Sequence, residues 1–183
     1  MANKQALREL QHRLAQRMQA VRDEPAQTAN WLAVECAGVG LLLSLKQAAE
    51  IFTPVALKPL PYAKPWLIGV ANLRGGLFTV VDLAVFLGLR DAGGSVRNEP
   101  RPEGGQARLV ALHADLNINC ALWVDRLLGL RSDDQLSVPA PPPQSSSRPR
   151  FAGPLVRDAE GRSWQQLDLE ALSKHQQFLQ VVL

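Results

Sequence analysis

The side chains that could do chemistry are few and widely spaced. His113 lies in a predicted strand with Asp115 two residues later. A Ser/His/Asp site, however, needs a nucleophile on a strained turn such as G-x-S-x-G, and the sequence has no such motif. Asp82 and Asp168 are the obvious carboxylate pair, yet each begins the same short pattern, which indicates two helix caps rather than one acid–base site. The sequence therefore predicts a protein without catalytic residues.

Metal and cofactor sites have no support either. The two cysteines, Cys36 and Cys120, belong to no C-x-x-C pair and have no histidine beside them, whereas zinc needs about four ligands at recognisable spacing. We interpret them as buried free thiols on strands. The segment AGVGL lacks the later glycine of a dinucleotide-binding loop, and RGG lacks the lysine and hydroxyl residue of a P-loop. We expect neither a metal nor a cofactor.

Arg74 is the side chain best placed to bind a partner. It precedes two glycines in NLRGG, between the predicted strands LIGVANL and LFTVV. Glycine supplies the backbone freedom for a tight reversal, so we expect an exposed turn that its strands hold rigidly. The planar donors of arginine suit an acidic or carbonyl-rich surface. The alternative is an arginine that pairs within its own domain, with Glu50 as the candidate.

Length and composition limit the class of protein. The chain has 183 residues, of which 46% are hydrophobic and 20% charged. These values allow one substantial domain or two small ones with a shared core, and they do not indicate disorder. The net charge of +3 is weak evidence for any partner. No apolar run approaches the roughly 18–20 residues of a membrane span, and the first residues lack the apolar core of a signal peptide. We therefore expect a cytoplasmic protein without direct membrane insertion.

The elements divide the chain into a leading helix and a β domain. Residues 4–22 are predicted to form a helix because apolar residues recur every three or four positions, and Pro25 should end it. We expect the apolar stripe to dock on the protein's own domain, with a partner-binding seam as the alternative. The predicted division is a helix over 1–25 and a second domain over 26–183. Two long loops, rich in glycine, proline or charge, are predicted near 90–107 and 131–150.

An internal repeat indicates two similar β units. Gly75 stands seven residues before Asp82, and Gly161 stands seven before Asp168. Each stretch is predicted to contain a turn, a short strand and a helical turn that begins at Asp-Leu. Together with many short strands, the repeat predicts a mostly β fold of paired small barrels. A nucleic-acid-binding barrel of the OB type is the alternative, but it needs exposed aromatics beside a basic groove, and aromatic residues make up only 5%.

The stretch WLIGVANLRGGLFTVVDLAVFLGL closely resembles the signature of the CheW family of chemotaxis adaptors, roughly I-x-G-x-x-N-L-R-G, a strand, then D-L and L-G. AAEIFTPVALKPLPYAKP, INCALWVDRLLGL and PLVRDAEGRSWQQLDLEAL resemble further parts of the family in the same order, so the resemblance covers residues 31–173. It implies two intertwined five-stranded β-barrels. It also implies a non-catalytic adaptor that couples the cytoplasmic tip of methyl-accepting chemoreceptors to a CheA-type histidine kinase. We expect no nucleic-acid partner.

The resemblance also assigns candidate partner-binding residues. In the family, the V-x-E-I and N-L-R-G segments contact receptor tips and the regulatory domain of the kinase. The matching positions here are Glu50, Gly69, Asn72, Arg74 and Gly75. Two positions depart from the pattern, since Ala48 replaces the usual valine of V-x-E-I and Thr79 replaces the usual proline after N-L-R-G. The long leader and the divergence resemble the adaptor of a type IV pilus (twitching) chemosensory system.

Overall fold

The computed structural model describes residues 29–91, 105–137 and 148–183, and strands dominate them. The predicted helix over residues 4–22 and parts of both predicted long loops lie outside the described residues. The α-helices that are described have only four or five residues each. The mostly β prediction is therefore confirmed.

The strands run in chain order as β1 (Trp31–Cys36), β2 (Val39–Ser44), β3 (Ala48–Phe52), β4 (Leu67–Leu73), β5 (Gly76–Asp82), β6 (Arg108–Leu112), β7 (Cys120–Val124), β8 (Arg126–Arg131), β9 (Leu136–Ser137), β10 (Ala152–Asp158) and β11 (Ser163–Leu167). The helices are α1 (Leu83–Phe86), α2 (Leu169–Ser173) and α3 (Gln176–Leu179), with 3₁₀ turns at Ala114–Leu116 and Asp133–Gln135.

Two mixed sheets share one topology. The first sheet has the order β8–β1–β2–β11–β10–β9, and the second has the order β3–β6–β7–β5–β4. In each, the third and fourth strands form the parallel pair, β2 with β11 and β5 with β7, whereas the other neighbours are antiparallel. The first sheet is thus a circularly permuted copy of the second, because its strands come from both sides of the segment that forms the second.

The strand count differs from the prediction in one sheet. The second sheet has the five strands that the family resemblance implies, and the first has six. The additional strand is β9, whose two residues pair with Arg157 and Asp158 on the outer edge of β10. The division into two small β units is confirmed, and the closure of both into barrels stays a prediction.

The internal repeat is a structural repeat. Asp82 and Asp168 are both N-caps: the Asp82 side chain accepts one backbone N–H in the first turn of α1, and the Asp168 side chain accepts two in the first turn of α2. The backbone N–H of each aspartate donates to the carbonyl of an aromatic residue, Trp66 at 2.8 Å and Phe151 at 2.9 Å. The predicted pair of caps is therefore correct.

Most of the core lies between the two sheets. On β7, Cys120 and Leu122 face this shared core together with residues of β1, β2, β5 and β6. Ala121 and Trp123 point to the opposite face of the second sheet, where they pack in a smaller apolar cluster. In the first sheet, a matching cluster around Trp164 packs on the face that is turned away from the shared core. Both faces of β7 are therefore buried, one in the shared core and the other in the smaller cluster.

Two hairpins have the same two-residue turn. Ala37–Gly38 joins β1 to β2 with φ values of 49° and 80°, and Arg74–Gly75 joins β4 to β5 with φ values of 49° and 84°. Two successive left-handed residues form the type I′ turn, whose twist matches that of the flanking strands. The tight reversal predicted at RGG is confirmed.

Candidate partner-binding site

The turn after β4 presents Arg74 at the end of a rigid hairpin. The strands pair from Leu67 opposite Val81 to Leu73 opposite Gly76. Asn72 Oδ1 accepts the backbone N–H of Gly75 at 2.8 Å, which braces the turn from inside. A Cβ at Gly75 would meet no atom within 4 Å. The turn therefore projects into open space and holds Arg74 in a defined place.

Arg74 is exposed and paired at the same time. Its Nη1 lies 2.6 Å from Glu50 Oε1, with 76% of the arginine side chain and 37% of the glutamate side chain exposed. The guanidinium carbon also lies 6.0 Å from the centroid of the Phe52 ring. The sequence left binding and internal pairing open as alternatives, and this geometry is compatible with both.

The Arg74–Glu50 pair joins the two edges of the second sheet. Glu50 lies on β3 and Arg74 follows β4, and these are the outermost strands in the order β3–β6–β7–β5–β4. A contact between opposite edges requires the sheet to curl. Glu50, Asn72, Arg74 and Gly75 thus meet around one turn, which we call the turn site.

Gly69 has a different place from the other four predicted residues. It lies buried on β4, where a Cβ would stand 2.5 Å from the carbonyl oxygen of Lys58. Lys58 and Val70 exchange backbone hydrogen bonds of 2.8 Å, so the proline-rich segment after β3 crosses directly over this glycine. Its φ of 147° also favours glycine. Gly69 permits the close backbone approach that holds this crossing segment against β4.

Two exposed apolar side chains lie on strands of the turn site, and one of them lies beside it. Leu77 on β5 lies directly opposite Asn72 and is 64% exposed. Ile51 on β3 is also exposed, but as the strand neighbour of Glu50 it points to the opposite face of the sheet. Neither residue was predicted from the sequence. The signal that could have found them is the two-residue alternation of β3 and β5, which turns these positions outward.

The equivalent turn of the first sheet directs its arginine inward. Arg162 follows the β10–β11 turn, and its Nη2 donates to the buried Glu35 Oε2 at 2.8 Å. Its guanidinium carbon lies 4.6 Å from the Trp164 ring centroid. Hydrogen bonds from Arg126, the largest influence, and from Arg162 outweigh the effect of burial and lower the pKa of Glu35. This arginine belongs to an internal ion network and is 39% exposed, whereas Arg74 is 76% exposed.

The remaining candidate groups are structural. His113 Nδ1 accepts the backbone N–H of Asp115 at 3.3 Å and so caps a 3₁₀ turn. Burial raises the thiol pKa of both Cys36 and Cys120 to about 12, consistent with the predicted buried free thiols. In residues 29–91, 105–137 and 148–183, no group of three or more His, Cys, Asp or Glu side chains could hold a metal ion.

Comparison with known families decides the relationship. The model of the family described as CheW-like domain matches residues 30–177, most of the chain. This chain belongs to the CheW-like domain family. CheW-like scaffolding proteins are non-catalytic, so the chain is not an enzyme. CheW-like domains in general bind CheA kinases and chemoreceptors.

Two relatives of this CheW-like domain cover nearly the same length. Protein PilI of Pseudomonas aeruginosa is 28% identical over 164 residues, which are 88% of this chain and 85% of PilI. The crystal structure of the scaffolding protein TtCheW from Thermoanaerobacter tengcongensis superposes with a TM-score of 0.58 at 17% identity. It covers 76% of this chain and 88% of TtCheW. The second likeness establishes the fold.

Both departures from the family pattern fit this CheW-like domain. Ala48 is buried in the shared core, opposite Leu112 of β6. Thr79 donates its backbone N–H to the carbonyl of Asn119 at 2.9 Å, a bond that proline could not make. Its Oγ1 donates to the same carbonyl at 3.0 Å. Among the helices that the structure describes, none is long and apolar enough to cross a membrane.

Proposed function

We propose that this protein is a cytoplasmic, non-catalytic adaptor that couples chemoreceptors to a CheA-type histidine kinase. Its receptor partner is the cytoplasmic tip of a methyl-accepting chemoreceptor, and its pathway controls twitching by type IV pili. The CheW-like match supports the adaptor role. The similarity to PilI over most of both chains supports the pilus pathway.

The observation that carries the proposal is the exposed guanidinium of Arg74 on a braced turn. The type I′ turn and the Asn72–Gly75 hydrogen bond fix its position before any partner arrives. A preorganised side chain loses little conformational entropy on binding. The pair with Glu50 leaves 76% of the arginine side chain exposed, so its remaining donors can engage carboxylates or carbonyls of a partner.

The apolar flank of the turn site supports a protein partner rather than a small ion. Interfaces between proteins combine an apolar centre with polar groups at the rim. Leu77, opposite Asn72, supplies exposed apolar area, and Arg74 supplies charge at the adjoining turn. We assign Glu50, Asn72, Arg74 and Gly75 to the interface itself. Gly69 belongs to it indirectly, because it holds the segment behind β4.

We further propose that both sheets curl into intertwined barrels. The Arg74–Glu50 pair supports closure of the second sheet, because it links residues at opposite edges. The circular permutation supports the intertwining, because the first sheet takes strands from both sides of the second in sequence.

Charge reversal at the turn site tests the proposal. In Arg74→Glu, a carboxylate replaces the guanidinium beside Glu50, and loss of one charged hydrogen bond of about 1.5–3 kcal/mol should weaken binding roughly tenfold or more. The assay is a pull-down with a chemoreceptor tip fragment and the kinase regulatory domain, together with receptor-coupled kinase activity. Arg157→Glu, an exposed reversal on β10 of the other sheet, is the matched control. Equal binding by both variants, with unchanged circular dichroism, would remove Arg74 from the interface.

The pathway and the alternative function need separate experiments. Restoration of twitching in a strain that lacks its pilus chemosensory adaptor would support the pilus pathway. No restoration there, with restoration of swimming chemotaxis in a strain that lacks its flagellar adaptor, would contradict it. A salt titration against single-stranded DNA tests the OB alternative, because phosphate binding weakens steeply with salt. We expect no binding, since Tyr62 is the one exposed aromatic in the described part of the chain, and all aromatic residues lie there.

A further inference from the structure

The chain passes between the two sheets at two short crossovers within the described residues. The first is the segment 45–47, which leads from β2 to β3. The second is the single residue Asp125, between β7 and β8. Because the shared core is apolar and apolar burial is non-directional, the core resists separation of the sheets but does not by itself select one angle between them.

Gln47 forms a polar cluster at the first crossover. Its Nε2 donates to Asp168 Oδ1 at 3.0 Å, and its Oε1 accepts the backbone N–H of Leu169 at 2.9 Å. Its carbonyl accepts the backbone N–H of His113, next to the end of β6, at 2.8 Å. One residue thus binds the capped helix of the first sheet and a strand of the second.

Asp125 forms a matching cluster at the second crossover. Its Oδ2 accepts the backbone N–H of Ala37, in the β1–β2 turn of the first sheet, at 2.7 Å. The same oxygen accepts Arg90 Nη2 at 2.5 Å. Arg90 Nη1 also lies 3.6 Å from Oδ2 of the fully buried Asp82, the cap of α1. This cluster again reaches one capping aspartate and both sheets.

We infer that these two crossover clusters set the angle between the sheets and that Gln47 and Arg90 are its positioning residues. The clusters are related by the same permutation that relates the sheets, since each binds the aspartate that begins the helix of its repeat. Directional hydrogen bonds at both crossovers supply the selectivity that the apolar core lacks. On the proposed function, this fixed angle keeps surfaces for two partners in register.

Distances between spin labels on the two sheets test the inference. Leu77→Cys and Leu130→Cys place labels at exposed positions of the second and first sheets. Cys36 and Cys120 are fully buried and should stay unlabelled. In this background, Gln47→Leu combined with Arg90→Gln should shift the mean distance or roughly double the width of its distribution, at unchanged circular dichroism.

Two controls separate positioning from general loosening. Lys174→Gln removes an exposed ion pair with Glu170 that involves neither crossover, and it should leave the distances unchanged. Arg90→Lys, made alone in the labelled protein, keeps a cation beside Asp125. Its distance distribution should stay close to that of the parent and narrower than that of the double variant. Identical distributions for the double variant and the parent would overturn the inference, as would equal broadening by Lys174→Gln.

Native-state hydrogen exchange gives a readout on the unaltered protein. The amides of Ala37 and Leu169, which donate to Asp125 and Gln47, should exchange only through global unfolding if the clusters hold the sheets together. Exchange of both amides through low-energy local opening would contradict the inference. In a coupling assay, the double variant should bind each partner alone yet lose kinase coupling. If the double variant kept kinase coupling, that outcome alone would count against the proposed function. The inference about the angle between the sheets would then be decided by the measured distances.

Discussion

Replacement of Arg74 by asparagine separates its part in binding from its part in folding. Arg74 adopts a left-handed backbone with φ of 49°, and for most side chains this conformation costs about 1–2 kcal/mol. Asparagine tolerates it far better, and Asn-Gly is the preferred sequence for a type I′ turn. The substitution should therefore relieve strain in the β4–β5 turn.

The loss of the ion pair opposes this gain. The Arg74–Glu50 pair is largely exposed, and such pairs contribute about 0–1 kcal/mol. The free energy of unfolding should therefore stay the same or rise by up to about 2 kcal/mol, which raises Tm by about 0–8 °C in a protein of this size. Partner binding should nevertheless weaken, because asparagine cannot reach or charge the same surface.

Thermal unfolding by circular dichroism and the pull-down described above measure the two effects. Ala37→Asn is the matched control, since Ala37 has the same φ in the β1–β2 turn and an asparagine there removes no ion pair. It should raise Tm without affecting binding. A fall of more than about 4 °C in Arg74→Asn would show that the strain argument is wrong, and full binding would show that Arg74 does not contact the partner.

Three further predictions concern stability and reactivity. Because the pKa of Glu35 is lowered from 4.5, its ion network should stabilise the fold fully above that pH and lose this effect as the pH falls below it. In Glu35→Gln, the free energy of unfolding measured with urea should therefore depend less on pH below 4.5 than it does in the parent protein. Gly69→Ala should destabilise by more than about 2 kcal/mol or prevent folding, because its Cβ would overlap a backbone carbonyl, whereas Gly75→Ala should cost about 1 kcal/mol, as measured by thermal unfolding. With thiol pKa values of about 12, Cys36 and Cys120 should react with a thiol reagent at pH 8 only after denaturation; rapid labelling of the folded protein would contradict their burial.

Local sequence patterns predicted the parts of the fold that local physics determines. The two glycine turns and both capping aspartates follow from nearby residues, so the hairpins and the helix starts at Leu83 and Leu169 were predictable. Asn72, Arg74 and Gly75 of the turn site were predictable for the same reason, since they occupy one such hairpin, whereas Glu50 lies on β3.

Long-range pairing was not predictable from such patterns. The parallel ladder that places Leu41 opposite Gln165 joins strands far apart in the sequence, and periodicity holds no information on partners. The crossover clusters were not predicted because no nearby motif marks Gln47 or Arg90 in the sequence. Only the folded chain places their side chains beside Asp168 and Asp82. Family resemblance suggested Gly69 as a binding residue, and only the structure showed that Lys58 passes over it.

The permuted order of the first sheet has a consequence for synthesis on the ribosome. Strands β1 and β2 emerge early, but β10 and β11 are translated only after the whole second sheet. During that interval the leucine-rich edge of β2 has no strand beside it, and an unpaired apolar edge is a template for aggregation. The nascent chain must therefore shield this hairpin, through early collapse against the newly folded second sheet or through a chaperone. In a chain terminated before β10, the unpaired edge of β2 would therefore be the most aggregation-prone part of the product.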